Sequence, residues 1–214
     1  MDSDDTISFW KDLGQKWLIK EQYFKPYPVC RWAQAPIEAV LNLKFKHNIS
    51  SKDVKDIEIH TFHEAIRLAI SEPKTTEEAQ YSTSYPCAVA LVNGDVGVKE
   101  VSENSFRDPE TLRISKSLKM IENDYCNSQF PSQRFASAKI ELNNGNILET
   151  GFVNPRWTAE NPPRASELKN KFFKLSNPII GENNSKNIEL AVNNLKTNAE
   201  LNDLTSLLYE PINN

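Results

Sequence analysis

The sequence predicts an α+β fold, in which a small and mostly antiparallel sheet is packed with helices. Residues 54–61 place apolar side chains in alternation with Glu58 and His60, which is typical of a half-buried strand. Residues 136–153 contain two runs of this kind around the turn sequence Asn-Asn-Gly-Asn, and they predict a β-hairpin. Helical segments separate these strands along the chain, which favours layers of sheet and helix over a helical bundle.

Residues 1–22 form a junction segment before the main domain. Their apolar side chains predict a short helix that is broken at Gly14 and a strand that follows it. The N-terminus, Met-Asp-Ser-Asp-Asp, is acidic and no apolar signal region follows it, which indicates a cytoplasmic protein. The apolar residues of the segment are Phe9, Trp10, Leu13, Trp17, Leu18 and Ile19.

The stretch 24–39 organises the domain that follows. It reads Phe-Lys-Pro-Tyr-Pro-Val-Cys-Arg-Trp-Ala-Gln-Ala-Pro-Ile-Glu-Ala, and its first two prolines predict a stiff extended loop over 25–28. Pro36 fits a first helical turn, and apolar residues follow it at helical spacing. We therefore expect a helix that begins within 32–35 and ends near Lys46.

The open amides at the start of this helix are predicted to lie beside Lys25 and Arg31. Unpaired N–H groups, the positive end of the helix dipole and two cationic side chains together favour a carboxylate or phosphate ligand. A rigid lead-in to a core helix would show the same features, so both interpretations stay open.

Small and apolar residues occupy all sides of the segment 84–92, which predicts a buried helix. Asp108 as N-cap and Pro109 at the first helical position predict a helix that ends near Ser117. The weaker signals predict a short helix at 65–70 ended by Pro73, another at 96–103, a strand at 118–122 and a loop at 123–133.

Residues 154–163 contain three prolines and show no periodicity, so we place a domain boundary there. The α+β domain is then expected to span 23–160, and a C-terminal helical segment 161–214. Three amphipathic runs in this last segment predict helices at 165–175, 187–196 and 201–208.

Composition excludes several classes of protein. A hydrophobic fraction of 39%, a charged fraction of 25% and a mean hydropathy of −0.55 are typical of soluble globular proteins. The net charge of −4, with 25 Lys and Arg interspersed among 29 Asp and Glu, argues against binding to nucleic acid. No apolar run approaches the roughly 20 residues of a transmembrane helix, so no membrane partner is expected.

Cysteine and histidine usage indicates neither disulfides nor a metal site. Cys30, Cys87 and Cys126 are odd in number and far apart, so we expect reduced thiols. His60 and His63 could share one helical face, but no further ligands are near them in sequence, and we predict no bound metal.

Two segments resemble motifs of one protein family. Residues 25–39 contain Lys-Pro-Tyr-Pro-x-Cys-Arg-Trp-x-x-x-Pro-Ile-Glu-Ala, and residues 78–94 read Glu-Ala-Gln-Tyr-Ser-Thr-Ser-Tyr-Pro-Cys-Ala-Val-Ala-Leu-Val-Asn-Gly. In their order and separation they resemble the MmgE/PrpD family, which includes 2-methylcitrate dehydratase, cis-aconitate decarboxylase and iminodisuccinate epimerase. The resemblance covers about the C-terminal half of a family member. It implies that 23–160 is the second domain of the family, and that the C-terminal helices return to a helical first domain.

The family reactions implied by this resemblance move a proton at a carbon next to a carboxylate, with loss of water, loss of carbon dioxide or inversion. No metal or organic cofactor is implied. Such chemistry needs cationic or N–H donors to hold the carboxylates, and a base within hydrogen-bond reach. Lys25, Arg31, Gln80 and Ser82 are the candidate substrate-binding residues. Tyr85 is a candidate catalytic donor, and a core aromatic with a locally satisfied hydroxyl is the alternative.

Cys30 and Gln34 are the other catalytic candidates, and both depart from the family pattern. Many relatives have His at the position of Gln34, and cis-aconitate decarboxylase has an active-site His at that of Cys30. Glutamine does not titrate, and a thiol needs a lowered pKa, which the positive helix end could provide. Because the family's other active-site groups come from the first domain, we expect the isolated chain to be inactive. Residues 165–208 carry apolar helical faces that a first domain would cover, so we also expect the isolated chain to associate with itself or with a partner.

Two functions therefore stand as hypotheses, with an unrelated α+β protein as a third possibility. The first is the C-terminal part of a lyase or isomerase acting on a small di- or tricarboxylate. A helical N-terminal domain or separate subunit would complete it, in a homo-oligomer such as a dimer. The second is a non-catalytic remnant or anion-binding module that keeps the fold.

Overall fold

The strand over Val54–Thr61, β1, lies inside a four-stranded sheet of order β2-β1-β3-β4. It pairs in parallel with β2, Leu118–Glu122, and antiparallel with β3, Ala136–Leu142, which pairs antiparallel with β4, Ile147–Glu149. Two of the three pairings are antiparallel, and the predicted α+β fold is confirmed. The structure is a computed structural model that describes residues 10–197 and 200–209.

Within these residues the chain forms two compact units, the first ending at Pro162 and the second starting at Pro163. The α-helices of the first unit are α1 Arg31–His47, α2 His63–Ile66, α3 Thr76–Tyr81, α4 Tyr85–Asn93, α5 Pro109–Ser117 and α6 Asp124–Gln129. Short 3₁₀ helices span Leu18–Glu21, Ser51–Asp53, Lys99–Val101 and Glu103–Ser105.

The main core lies between the sheet and the helices α1, α4 and α5. Helix α1 packs against α4 and β3, and α5 packs against α4 and β1. Ile57 and Ile59 of β1 are fully buried, as their alternation predicts, and each contributes roughly 1.5–3 kcal/mol by leaving water. The predicted buried helix is α4, in which every residue from Tyr85 to Leu91 is buried.

Helix α1 begins at Arg31, one residue earlier than predicted. Pro36 is therefore its sixth residue and lies in the second turn, not the first. Because proline has no N–H, the carbonyl of Trp32 lacks the donor that another residue would supply. The helix ends at His47, where Asn48 adopts a φ of 50° and donates its N–H to the carbonyl of Lys44.

The strand predicted before the proline-bracketed loop is wrong. Residues 10–15 form turns, and a 3₁₀ helix spans Leu18–Glu21, so no extended strand enters the loop. The side chains of Trp10, Leu18 and Ile19 are each more than 60% exposed, and none of the strands in the described part of the chain pairs with this segment. The part of the predicted helix that falls on residues 1–9 lies outside the described residues.

The loop predicted at 123–133 is also wrong in its first half, which forms α6. The side chain of Asn123 accepts a hydrogen bond of 3.2 Å from the amide of Cys126 and caps this helix. The helix predicted at 96–103 is two short 3₁₀ turns, and the helix predicted at 65–70 ends at Ile66.

The second unit contains α7, Ala165–Asn194, and α8, Leu201–Tyr209, which pack against each other. Helix α7 covers the predicted segment 165–175, the predicted segment 187–196 as far as Asn194, and the residues between them. Gly181 interrupts it with a φ of 79°, a conformation that glycine adopts without the strain of a Cβ. No helix within 10–197 and 200–209 combines the length and apolarity needed to cross a membrane.

Candidate functional site

The side chain of Gln34 holds the proline-bracketed loop in place. Its Nε2 donates to the carbonyls of Tyr27, Val29 and Cys30 at 3.2, 3.2 and 3.3 Å, and its Oε1 accepts from the amide of Tyr27 at 3.3 Å. Gln34 is fully buried. A buried amide with four backbone partners fixes the loop, and its hydrogen-bonding capacity is taken up by that task.

Three side chains join this loop to residues 155–157. The phenol of Tyr27 donates to Oε1 of Glu38 at 2.9 Å, and Arg156 donates to the same oxygen at 2.7 Å and to the phenol at 3.3 Å. Burial, followed by the charge of Glu38, raises the pKa of Tyr27, so its phenol stays protonated. The amide of Phe24 also donates to the carbonyl of Trp157 at 3.1 Å.

Arg31, the first residue of α1, lies beneath residues 155–160 and is only 8% exposed. One terminal nitrogen donates to the carbonyl of Arg156 at 3.4 Å, and the guanidinium stacks 3.9 Å from the ring centre of Tyr23. Its Nε is buried and has no hydrogen-bond partner within the described part of the chain. Burial lowers the pKa of Arg31, and the nearby charge of Arg134 lowers it further.

Arg31 lines a polar cavity of about 130 Å³ near the N-terminus of α1. The cavity combines two guanidinium groups, two carboxylates and several hydroxyl and amide groups. Its lining residues are Glu21, Tyr23, Arg31, Ser132, Gln133, Arg134, Pro155, Thr158, Ala159 and Glu160. This arrangement suits a small anion, because unpaired N–H donors in a half-enclosed site gain hydrogen bonds only from a ligand or water.

The other predicted substrate-binding residues lie elsewhere. Lys25 is exposed and does not line this cavity. The carbonyl of Gln80 accepts the amide of Cys30 at 2.7 Å, which brings the two motif segments together. The hydroxyl of Ser82 is buried, donates to the carbonyl of Ile70 at 2.8 Å and accepts the amide of Tyr85, the first residue of α4, at 3.0 Å.

Tyr85 lines a different cavity, of about 410 Å³, together with Lys99, Asp108 and Thr111. Its phenol donates to the carbonyl of Glu100 at 3.2 Å. Burial raises the pKa of Tyr85 to about 12, so the group is a proton donor and not a base near neutral pH. The geometry thus brings Cys30, Arg31, Gln34 and the backbone of Gln80 to one loop, and leaves Tyr85 at another site.

Sequence reasoning missed Arg134 and Arg156. Both lie in segments without periodicity, and each is more than 100 positions from Arg31, so no local pattern connects them. Their only signal is that they are cations in otherwise loop-like stretches. Among residues 10–197 and 200–209, no group of three His, Cys, Asp or Glu side chains is placed to hold a metal ion.

The fold and the site define an α+β domain in which a proline-bracketed loop and a buried arginine flank a small polar cavity. The sequence model of the MmgE/PrpD C-terminal domain matches residues 27–197. The chain therefore belongs to the MmgE/PrpD family, in the part that corresponds to its C-terminal domain, and this family contains enzymes of the dehydratase and isomerase type. No curated protein matches the chain at a significant level.

Proposed function

We propose that this chain forms the C-terminal part of a cofactor-independent lyase or isomerase that acts on a small di- or tricarboxylate. The observation that carries the proposal is the buried, unpartnered Nε of Arg31 in a polar cavity at the start of α1. Family membership supports the reaction class. A guanidinium in this place neutralises a substrate carboxylate and stabilises the charge that develops when the neighbouring carbon loses a proton.

The chemistry also requires a base near the carbon that loses the proton. Glu160 lines it, but hydrogen bonding from its own backbone amide lowers its pKa, so its carboxylate has little affinity for a proton. Cys30 directly precedes Arg31 at the start of α1 and is half-buried. The side-chain amide of Gln34 is already hydrogen-bonded to the loop backbone. We therefore propose that a helical first domain, on the same or a separate chain, provides the base and closes the cavity.

The first test is a calorimetric titration of the chain with citrate at low and moderate salt. Arg31→Ala should weaken binding by roughly tenfold or more, since a hydrogen bond to a charged group contributes about 1.5–3 kcal/mol. Lys25→Ala should weaken it less, because Lys25 lies outside the cavity and its charge is screened. Arg67→Ala, which removes an exposed arginine of the same unit, serves as the matched control. Identical isotherms for the wild type and Arg31→Ala would refute the proposed binding site.

The second test separates the enzyme from a simple anion-binding module. The chain is combined with the helical first domain of a family member, and exchange of the proton next to a carboxylate of citrate is followed in deuterated water. Exchange only in the presence of both parts supports the lyase or isomerase. Binding without exchange supports the non-catalytic module. The hydrogen bonds of Gln34 to the loop backbone favour this alternative, because they occupy its side-chain amide.

We also propose that the chain alone associates with itself. Large apolar side chains of the segment before the loop are exposed, among them Trp10, Leu13 and Ile19 at 65%, 67% and 74%. Exposed apolar side chains grouped in one segment favour association. Light scattering should show a mass above 24.4 kDa for the chain alone, and a clean monomer would contradict this proposal.

A further inference from the structure

Arg134 has no predicted role and lies just before β3, far in sequence from Arg31. Its Nε is also buried and also has no hydrogen-bond partner within the described residues. Both arginines line the same 130 Å³ cavity. Two side chains that meet at one cavity, each with a buried N–H left unpaired, constitute a built site, because a single such donor already costs about 1–3 kcal/mol.

The charges around the cavity indicate what enters it. The charge of Arg134 disfavours the charge of Arg31, and an anion between the two side chains would relieve this repulsion. Glu21 and Glu160 line the same cavity and carry the opposite charge. The two carboxylates offset the two guanidinium charges, so the attraction for an anion comes from the two unpaired Nε–H donors, which one carboxylate group can satisfy. Further anionic groups of a ligand would meet the carboxylates.

The size of the cavity sets a second limit. A volume of about 130 Å³ is well below the roughly 300–1,000 Å³ of pockets that enclose whole drug-sized ligands. It admits a group of a few heavy atoms, such as a carboxymethyl arm. The rest of a di- or tricarboxylate would remain outside the cavity, where another surface must hold it.

We propose that Arg31 and Arg134 together form a subsite for a single carboxylate end of the substrate, with one Nε–H donor from each arginine. Arg156 and Tyr23 position Arg31, through the carbonyl at 3.4 Å and the stacked ring at 3.9 Å. This inference rests on the proposed function for the identity of the substrate. The carboxylate subsite itself is tested by ligand binding alone, without catalysis.

The test observes the two donors directly. In nitrogen-15 NMR spectra of the full chain, the Nε–Hε signals of Arg31 and Arg134 are assigned from the signal lost in Arg31→Lys and in Arg134→Lys. Titration with succinate should move both signals with one common midpoint. A shift of the Arg31 signal alone would overturn the two-arginine subsite. Movement with inorganic phosphate but not with succinate would overturn the carboxylate assignment.

The affinity of variants tests the single-carboxylate claim. Arg134→Ala should weaken the binding of succinate and of tricarballylate by the same factor, roughly tenfold or more, because one carboxylate enters in each case. A much larger factor for tricarballylate would contradict the claim. Arg134→Lys keeps the charge and should also weaken binding, since lysine lacks the planar fork of arginine. Should Arg134→Ala fail to fold, unchanged affinity in folded Arg134→Lys overturns the proposal.

The two proposals fail in distinguishable ways. If succinate moves both NMR signals together but no proton exchanges in the presence of a helical first domain, the lyase or isomerase is refuted and the subsite stands. Proton exchange that survives in Arg134→Ala with unchanged succinate affinity would refute the subsite and keep the enzyme.

Discussion

Replacing Gln34 with alanine tests whether this residue stabilises the loop. The substitution removes four hydrogen bonds of 3.2–3.3 Å to buried backbone groups of residues 27–30. At roughly 0.5–1.5 kcal/mol each, and with distances at the long end of the normal range, their loss should lower the free energy of unfolding by about 3 kcal/mol. With a urea m-value of about 2 kcal/mol/M, the midpoint should fall by about 1.5 M.

Tryptophan fluorescence in urea is the suitable assay. All four tryptophans precede Pro163, so the signal reports the unfolding of the first unit alone; they are Trp10, Trp17, Trp32 and Trp157. Gln22→Ala, which makes the same change at an exposed position, should leave the free energy of unfolding within about 0.5 kcal/mol of the wild-type value.

Gln34→Met separates hydrogen bonding from packing. Methionine fills a similar volume but offers the loop no amide, so it should be nearly as destabilising as alanine. A Gln34→Met protein with the midpoint of the wild type would refute the role of the hydrogen bonds. It would show that volume alone maintains the loop.

Three further perturbations have expected outcomes. Glu38→Gln weakens the charged hydrogen bonds from Arg156 and should lower the free energy of unfolding by about 1–2 kcal/mol in the same urea assay; an unchanged midpoint would contradict the role of this network. The hydrogen bond from Arg113 lowers the pKa of Glu110 to about 2, so its contribution to stability is complete above the ordinary value near 4.5 and is lost as the pH falls toward 2. The difference in urea midpoint between wild type and Glu110→Gln should therefore shrink over that range, and a constant difference would refute the ion pair. Subtracting the 295 nm titration of Tyr85→Phe from that of the wild type should show no phenol step near pH 10, because the pKa of Tyr85 is raised to about 12.

Local patterns were sufficient for β1 and α5. The alternation within β1 predicted both its limits, and Asp108 with Pro109 marked the start of α5, where the Asp108 side chain accepts from the amide of Thr111. Helix α3 was missed although its capping signal is present in the sequence. Thr75 accepts from the amide of Glu78, and that glutamate accepts from the amide of Lys74.

The candidate site could be predicted only in part. The sequence placed Arg31 at the start of a helix, because a proline-bracketed loop and a helix start are local signals. Its partners across the cavity, Arg134 and Glu160, depend on how distant loops return to the start of α1, which no periodicity records. The role of Gln34 was also beyond the sequence, because a buried glutamine and a catalytic one have the same side chain and differ only in their partners.

The closure between residues 24–38 and 155–157 has a consequence for how the first unit folds and opens. Its contacts join segments about 120 positions apart, whereas the pairing of β3 with β4 spans about ten. Long loop closures are entropically costly and tend to form late, so we expect the pairing of β3 with β4 to form before the cavity beside Arg31 does. In the folded protein the same segment should exchange amide hydrogens sooner than β1. Transient opening of residues 155–160 would then give solutes access to Arg31 while the sheet stays intact.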